Sequence, residues 1–212
     1  MTINRGFSKL SVRLLIVAVL AFSLLGWAQS KKSKASDWTL FGRDIAASHY
    51  NPDESAITPA NVANLKVKWT FEAGDDISAQ PIVANGVVYV GSWDGKEYAV
   101  DAKTGKKIWE FDCGQSSRAS AAYENGLLAF VDIAGFLHVL DAKTGIEKWK
   151  KRIDTHRNTV GTSAPIMYQG KIYIGVPSHE EGAMLAKRDY VCCTFRGSVV
   201  SYDAATGNEN WR

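Results

Sequence analysis

The 212-residue sequence predicts an all-β protein, a β-propeller of four-stranded blades, on three observations. One element, Asp-Ala-x-Thr-Gly-x-x-x-Trp, recurs: Asp101 to Gly105 precedes Trp109, Asp141 to Gly145 precedes Trp149, and Asp203 to Gly207 precedes Trp211. Trp69, Trp109 and Trp149 stand 40 residues apart, whereas Trp149 to Trp211 is 62, so the last repeat is 22 residues longer. Within each repeat, short β-branched and aromatic runs are separated by Gly-containing pairs of the kind that close hairpins. A period of roughly 40 to 45 built from short strands marks one propeller blade per repeat.

In the first repeat, a strand within Ser78 to Ala84 leads to a turn at Asn85-Gly86, a second strand from Val87 to Val90 and a turn at Asp94-Gly95. A third strand, Glu97 to Val100, then reaches the Asp-Ala-Lys-Thr-Gly turn, and Lys107 to Phe111 is the fourth. The second repeat places its turns at Asn125-Gly126, Ala134-Gly135 and Asp141 to Gly145; the third uses Gln169-Gly170, Arg196-Gly197 and Asp203 to Gly207. The extra residues of the third repeat fall between its second and third strands. Asp and Thr hydrogen-bond the turn backbone, and Gly accepts the left-handed conformation. A tryptophan at one fixed place in every repeat implies a shared role, a flat ring wedged where adjacent blades meet and burying about 200 Å².

Composition is globular, 46% hydrophobic and 22% charged, with 18 Gly and 5 Pro, which excludes disordered, collagen-like and coiled-coil classes. The net charge of +3 is too small for a nucleic-acid partner. It also resides in the N-terminus: without Arg5, Lys9 and Arg13, the 25 basic residues become 22, equal to the 22 acidic ones. Those three residues precede the apolar run Leu14 to Leu25 and then Gly26-Trp27-Ala28. A basic start, a twelve-residue apolar stretch and small residues at its end predict a secretory signal peptide over 1–28, cleaved after Ala28. The competing reading, an uncleaved anchor, needs about 20 apolar residues. The sequence thus predicts a periplasmic or secreted protein with no stable membrane span, a polar linker over 29–36 and a propeller over 37–212. The propeller divides into a head segment, 37–68, and units of about 69–109, 110–149 and 150–212. The histidines show no metal-ligand spacing, and no haem-attachment, G-x-G-x-x-G or P-loop motif is present.

The repeats resemble the tryptophan-docking units of the pyrroloquinoline quinone (PQQ) dehydrogenases. The head of the domain, Asp37-Trp38 through Gly42-Arg43-Asp44, His49-Tyr50-Asn51-Pro52, Ile57, Asn61 to Leu65 and Trp69, is similar to the opening of the methanol, alcohol and polyvinyl-alcohol dehydrogenases of that family. The resemblance spans residues 37–212 and implies an eight-bladed propeller. It also implies an exported oxidoreductase in which PQQ and Ca2+ oxidise an alcohol, electrons then leaving to a cytochrome c. The alternative class is a non-enzymatic propeller acting as a protein-binding scaffold in the cell envelope. Three units do not close a ring of eight, so the expectation is a partial chain with an unpaired last strand, its catalytic aspartate and remaining calcium ligands lying beyond Arg212.

What the resemblance implies for single residues follows local sequence matches. Arg118, in Cys113-Gly-Gln-Ser-Ser-Arg118, falls where the family pairs an arginine with a PQQ carboxylate, a role suited to a guanidinium fork. Thr162, in Gly161-Thr-Ser-Ala-Pro165, matches a PQQ-contacting threonine; Ser178 is a further candidate contact. Glu180, eighteen residues after Thr162, matches the calcium-binding glutamate, with Glu181 as its competitor. Adjacent Cys192 and Cys193 resemble the family's vicinal disulfide, which packs on PQQ, but occur in the third repeat rather than ahead of Arg118, where only Cys113 stands. Three states stay open: a Cys192-Cys193 disulfide over the cofactor, a bond from Cys113 to one of the pair, and free thiols.

Overall fold

The computed structural model describes residues 37–186 and 189–212. The predicted signal peptide and linker lie outside the described residues. Among the described residues, twelve strands form three antiparallel sheets of four, each in sequence order. Blade 1 is β1 (Ile82–Ala84), β2 (Val87–Gly91), β3 (Lys96–Asp101) and β4 (Lys107–Asp112). Blade 2 is β5 (Ala122–Glu124), β6 (Leu127–Val131), β7 (Phe136–Asp141) and β8 (Glu147–Arg152). Blade 3 is β9 (Ile166–Tyr168), β10 (Lys171–Val176), β11 (Ser198–Asp203) and β12 (Glu209–Trp211). A 3-10 turn, Val62–Asn64, lies in the head segment, and one short helix, α1 (Glu180–Ala186), lies in the third-repeat insertion.

Middle strands β3 and β7 are buried along their centres on both faces, because blade 2 lies between its two neighbours and blade 1 lies between blade 2 and Trp69, Phe71 and Ala73 of the preceding chain, whereas blade 3 leaves Ile166, Tyr168 and Val199 exposed. The outer strands β4 and β8 are mostly exposed and carry the lysines and glutamates. The core is therefore a series of interfaces. Ile82, Tyr89 and Ala99 of blade 1 meet Leu128, Phe130 and Leu140 of blade 2; Val131, Leu137 and Val139 of blade 2 meet Ile172, Val200 and Tyr202 of blade 3. At about 25 cal/mol per Å², such faces are the main source of stability.

The repeated tryptophan explains why the turns repeat with it. The rings of Trp69, Trp109 and Trp149 each lie on the Asp-Ala-x-Thr-Gly turn of the following blade. Trp69 Nε1 donates to Ala102 O at 3.1 Å, Trp109 to Ala142 O at 3.1 Å and Trp149 to Ala204 O at 2.9 Å. A Cβ on Gly105, Gly145 or Gly207 would fall 2.8, 2.7 or 2.9 Å from the docked indole, and all three glycines have φ of +72°. Glycine is required twice over, for the left-handed backbone and for the ring's approach. The aspartate and threonine tie the turn internally: Asp101 Oδ1 accepts from Thr104 N and Oγ1 at 2.7 Å each, with the same pairs at Asp141 and Asp203. Trp211, the last ring, is 49% exposed and stacks at an angle on Tyr173 of its own blade.

Two turn readings change. Asn85-Gly86, Asn125-Gly126 and Gln169-Gly170 have positive φ at both positions, as a type I′ turn needs, but at Asp94-Gly95 and Ala134-Gly135 only the glycine does. Arg196-Gly197 is not a hairpin turn, because the insertion connects β10 to β11 there and Gly197 leads directly into β11.

Candidate cofactor pocket

Each blade begins with a short irregular segment before its innermost strand. Ser78, Arg118 and Thr162 each stand four residues ahead of that strand, before Ile82, Ala122 and Ile166. They are one structural position in three successive blades, and they converge. Together with Phe41 and Gln80, they line a cavity of about 390 Å³. Neighbouring copies are tied across the rim: Gln80 N donates to Ser120 Oγ at 3.0 Å, and Gly42 N to Gln80 Oε1 at 3.0 Å, which fastens the head segment to the pocket.

Arg118 supplies the site's cation. Its guanidinium lies 3.7 Å from the centroid of the Trp93 ring, and its buried Nε has no hydrogen-bond partner among the described residues. A buried N–H without an acceptor is costly, and a ligand carboxylate or carbonyl would supply one. With the hydroxyls of Ser78, Ser120 and Thr162 beside it, the donor set suits a planar, multiply anionic molecule, and a PQQ carboxylate fits it.

The remaining predicted site residues form a second group, in the insertion. Glu180 is buried at the first position of α1. Its Oε1 accepts from Tyr190 Oη at 2.7 Å and from Thr194 N and Oγ1 at 2.6 and 3.0 Å, while its Oε2 accepts from Phe195 N at 2.9 Å. Burial alone would raise this carboxyl's pKa, but the donors outweigh it and hold the group down at about 2. Calcium needs free oxygen lone pairs, and here N–H and O–H groups point at them. As held, Glu180 does not fit a calcium ion, and the exposed Glu181 makes no contact that improves the case. Cys192 and Cys193 are joined as a vicinal disulfide, and Cys113 is a buried free thiol whose pKa burial pushes up to about 12. Neither the disulfide nor Ser178, which pairs by backbone with Thr159, lines the cavity at Arg118.

The sequence reading missed Ser78, Gln80, Trp93 and Phe41. Ser78 was recoverable by counting back from each innermost strand. Trp93 was not, since the equivalent position of the second repeat carries Ile133 and no aromatic ring recurs there.

A family model described as outer membrane protein assembly factor BamB, of PQQ-type repeats, matches residues 54–212. The chain belongs to the PQQ β-propeller family. Among relatives of this PQQ propeller, a polyvinylalcohol dehydrogenase of a Pseudomonas species is 31% identical over 188 residues, covering 85% of this chain and 29% of that protein. The crystal structure of quinohemoprotein alcohol dehydrogenase from Comamonas testosteroni superposes with a TM-score of 0.69 at 29% identity, over 82% of this chain and 26% of that one. The solved structure of quinohemoprotein alcohol dehydrogenase ADHIIG from Pseudomonas putida HK5 gives a TM-score of 0.73 at 28% identity, over 84% of this chain and 26% of that one. The chain thus spans less than a third of each of these proteins. Among the described residues, no helix is long and apolar enough to cross a membrane.

Proposed function

We propose that this PQQ propeller contributes the Arg118 side of a cofactor pocket in an exported quinoprotein that oxidises an alcohol and passes electrons to a cytochrome c. The observation that carries the reading is the convergence of Arg118, with its partnerless buried Nε, and the hydroxyls of Ser78 and Thr162 on one cavity. When bound, PQQ would supply a quinone able to accept hydride. The chain's own work is binding and placement. Arg118 offers a fork to a carboxylate, Thr162 offers a hydroxyl from the next blade, and Phe41 gives an apolar wall. No role for calcium is taken from Glu180, whose oxygens serve the insertion. The substrate class, an alcohol small or polymeric, rests on the kinship alone.

Equilibrium dialysis of the chain against PQQ tests this. Arg118→Ala is expected to weaken binding by ten- to a hundredfold, the worth of a charge-assisted hydrogen bond, and Arg118→Lys to recover only part of it. No uptake by the parent chain would favour the alternative of a protein-binding scaffold.

A further inference from the structure

The pocket's arginine rests on an indole. Trp93 is fastened at three points: its backbone N–H donates to Asp76 O at 2.9 Å, its Nε1 donates to Ser78 Oγ at 2.8 Å, and its carbonyl accepts from Ser116 Oγ at 3.0 Å. Ser78 itself lines the cavity. The ring lies under the Arg118 guanidinium at stacking distance.

The repeat provides an internal control. Trp93 follows the end of β2 by two residues, and the same step past β6 reaches Ile133. Beyond Trp93 the next blade presents Arg118; beyond Ile133 the next presents Thr162. An aromatic face stands where a cation follows, and an aliphatic one where a hydroxyl follows. Chemistry distinguishes this support from an ion pair. All five guanidinium donors lie in its plane, so stacking restrains the group without consuming a donor or neutralising its charge. An acidic partner would do both and compete with an anionic ligand.

We propose that Trp93 is a positioning residue for the anionic ligand of this pocket: held by Ser78, it fixes the plane of Arg118 so that the donor edge meets a carboxylate. The inference rests on the reading that the pocket takes PQQ.

The 212-residue chain and its variants are titrated with PQQ and with PQQ trimethyl ester, which lacks the carboxylate charges. Trp93→Leu is expected to weaken PQQ about fivefold, the order of a partly exposed cation–π contact, and the ester less than twofold. Trp93→Phe, which keeps an aromatic face, restores most of the loss. In an Arg118→Ala background, Trp93→Leu adds nothing, since Trp93 acts through Arg118. Equal losses for both ligands, no rescue by Phe, or a full additional loss on the Ala background would overturn the proposal. An NMR measurement without ligand separates it from the cofactor reading: the Arg118 Nε proton is ring-current shifted in the parent and in Trp93→Phe, and loses the shift in Trp93→Leu. If the parent takes up no PQQ, the cofactor reading fails while this shift still tests the stacking; an unshifted parent signal overturns the positioning role.

Discussion

Two positions recur through the blades of this propeller, and they have been treated oppositely. At the docking turns, three copies of one geometry carry one sequence: Asp101, Asp141 and Asp203 tie the same threonine, and Gly105, Gly145 and Gly207 receive the same ring. At the pocket rim, three copies of one geometry carry a serine, an arginine and a threonine. The turn recurs because each copy must tie its own backbone through Asp and Thr and receive the neighbouring blade's indole against its glycine. The rim faces a cavity, where packing sets no common demand and each copy is free to serve a ligand.

This contrast can be broken at several points. The largest effect belongs to the docking turn: Trp109→Ala should cost about 3–5 kcal/mol, as large aromatic deletions do, and Gly145→Ala a comparable amount through clash and positive φ, both read from urea unfolding midpoints. Ser78→Ala and Thr162→Val should leave those midpoints within about 0.5 kcal/mol while weakening PQQ uptake. A rim substitution as destabilising as Trp109→Ala would erase the distinction.

Two buried carboxyls extend it to pH. Glu97 lies between blades, where blade 2 has Leu137 at the matching place; burial raises its pKa to about 8, only partly opposed by a hydrogen bond from Ser117. A raised carboxyl pKa means protons bound more tightly in the folded state, so stability declines as pH rises from about 4.5 to 8. Glu97→Gln should flatten that decline. Glu180 is displaced the other way, so what it contributes is present above about 4.5 and fades as pH falls toward 2. Glu180→Ala should release the insertion at neutral pH, seen as about tenfold faster proteolysis near the exposed Leu185 and Val191, with the blades intact. The smallest effect is at Trp211: a ring 49% exposed should cost no more than about 0.5 kcal/mol on truncation, against several for Trp109.

The legible parts of the fold were those under repeated constraint. Strand order, the Asn-Gly hairpins and the place of the insertion all followed from spacing, because each docking ring must meet its turn in the next blade, so the Asp-Ala-x-Thr-Gly element and its tryptophan recur even across the 22-residue insertion. Inside the insertion that logic is absent: Glu180 matches a calcium-binding glutamate by its spacing from Thr162, and only the fold reveals that Tyr190, Thr194 and Phe195 turn back onto it. Arg118 and Thr162 were recoverable through kinship, whereas Trp93 stood out only once its partner across the interface was known.

Docking also has a direction. In each of the three docked pairs, the ring precedes its receiving carbonyl along the chain, by 33, 33 and 55 residues. During synthesis, every new turn therefore emerges to meet a tryptophan already made. A blade that closes incorrectly leaves the preceding indole uncovered, so each blade serves as a checkpoint on the next.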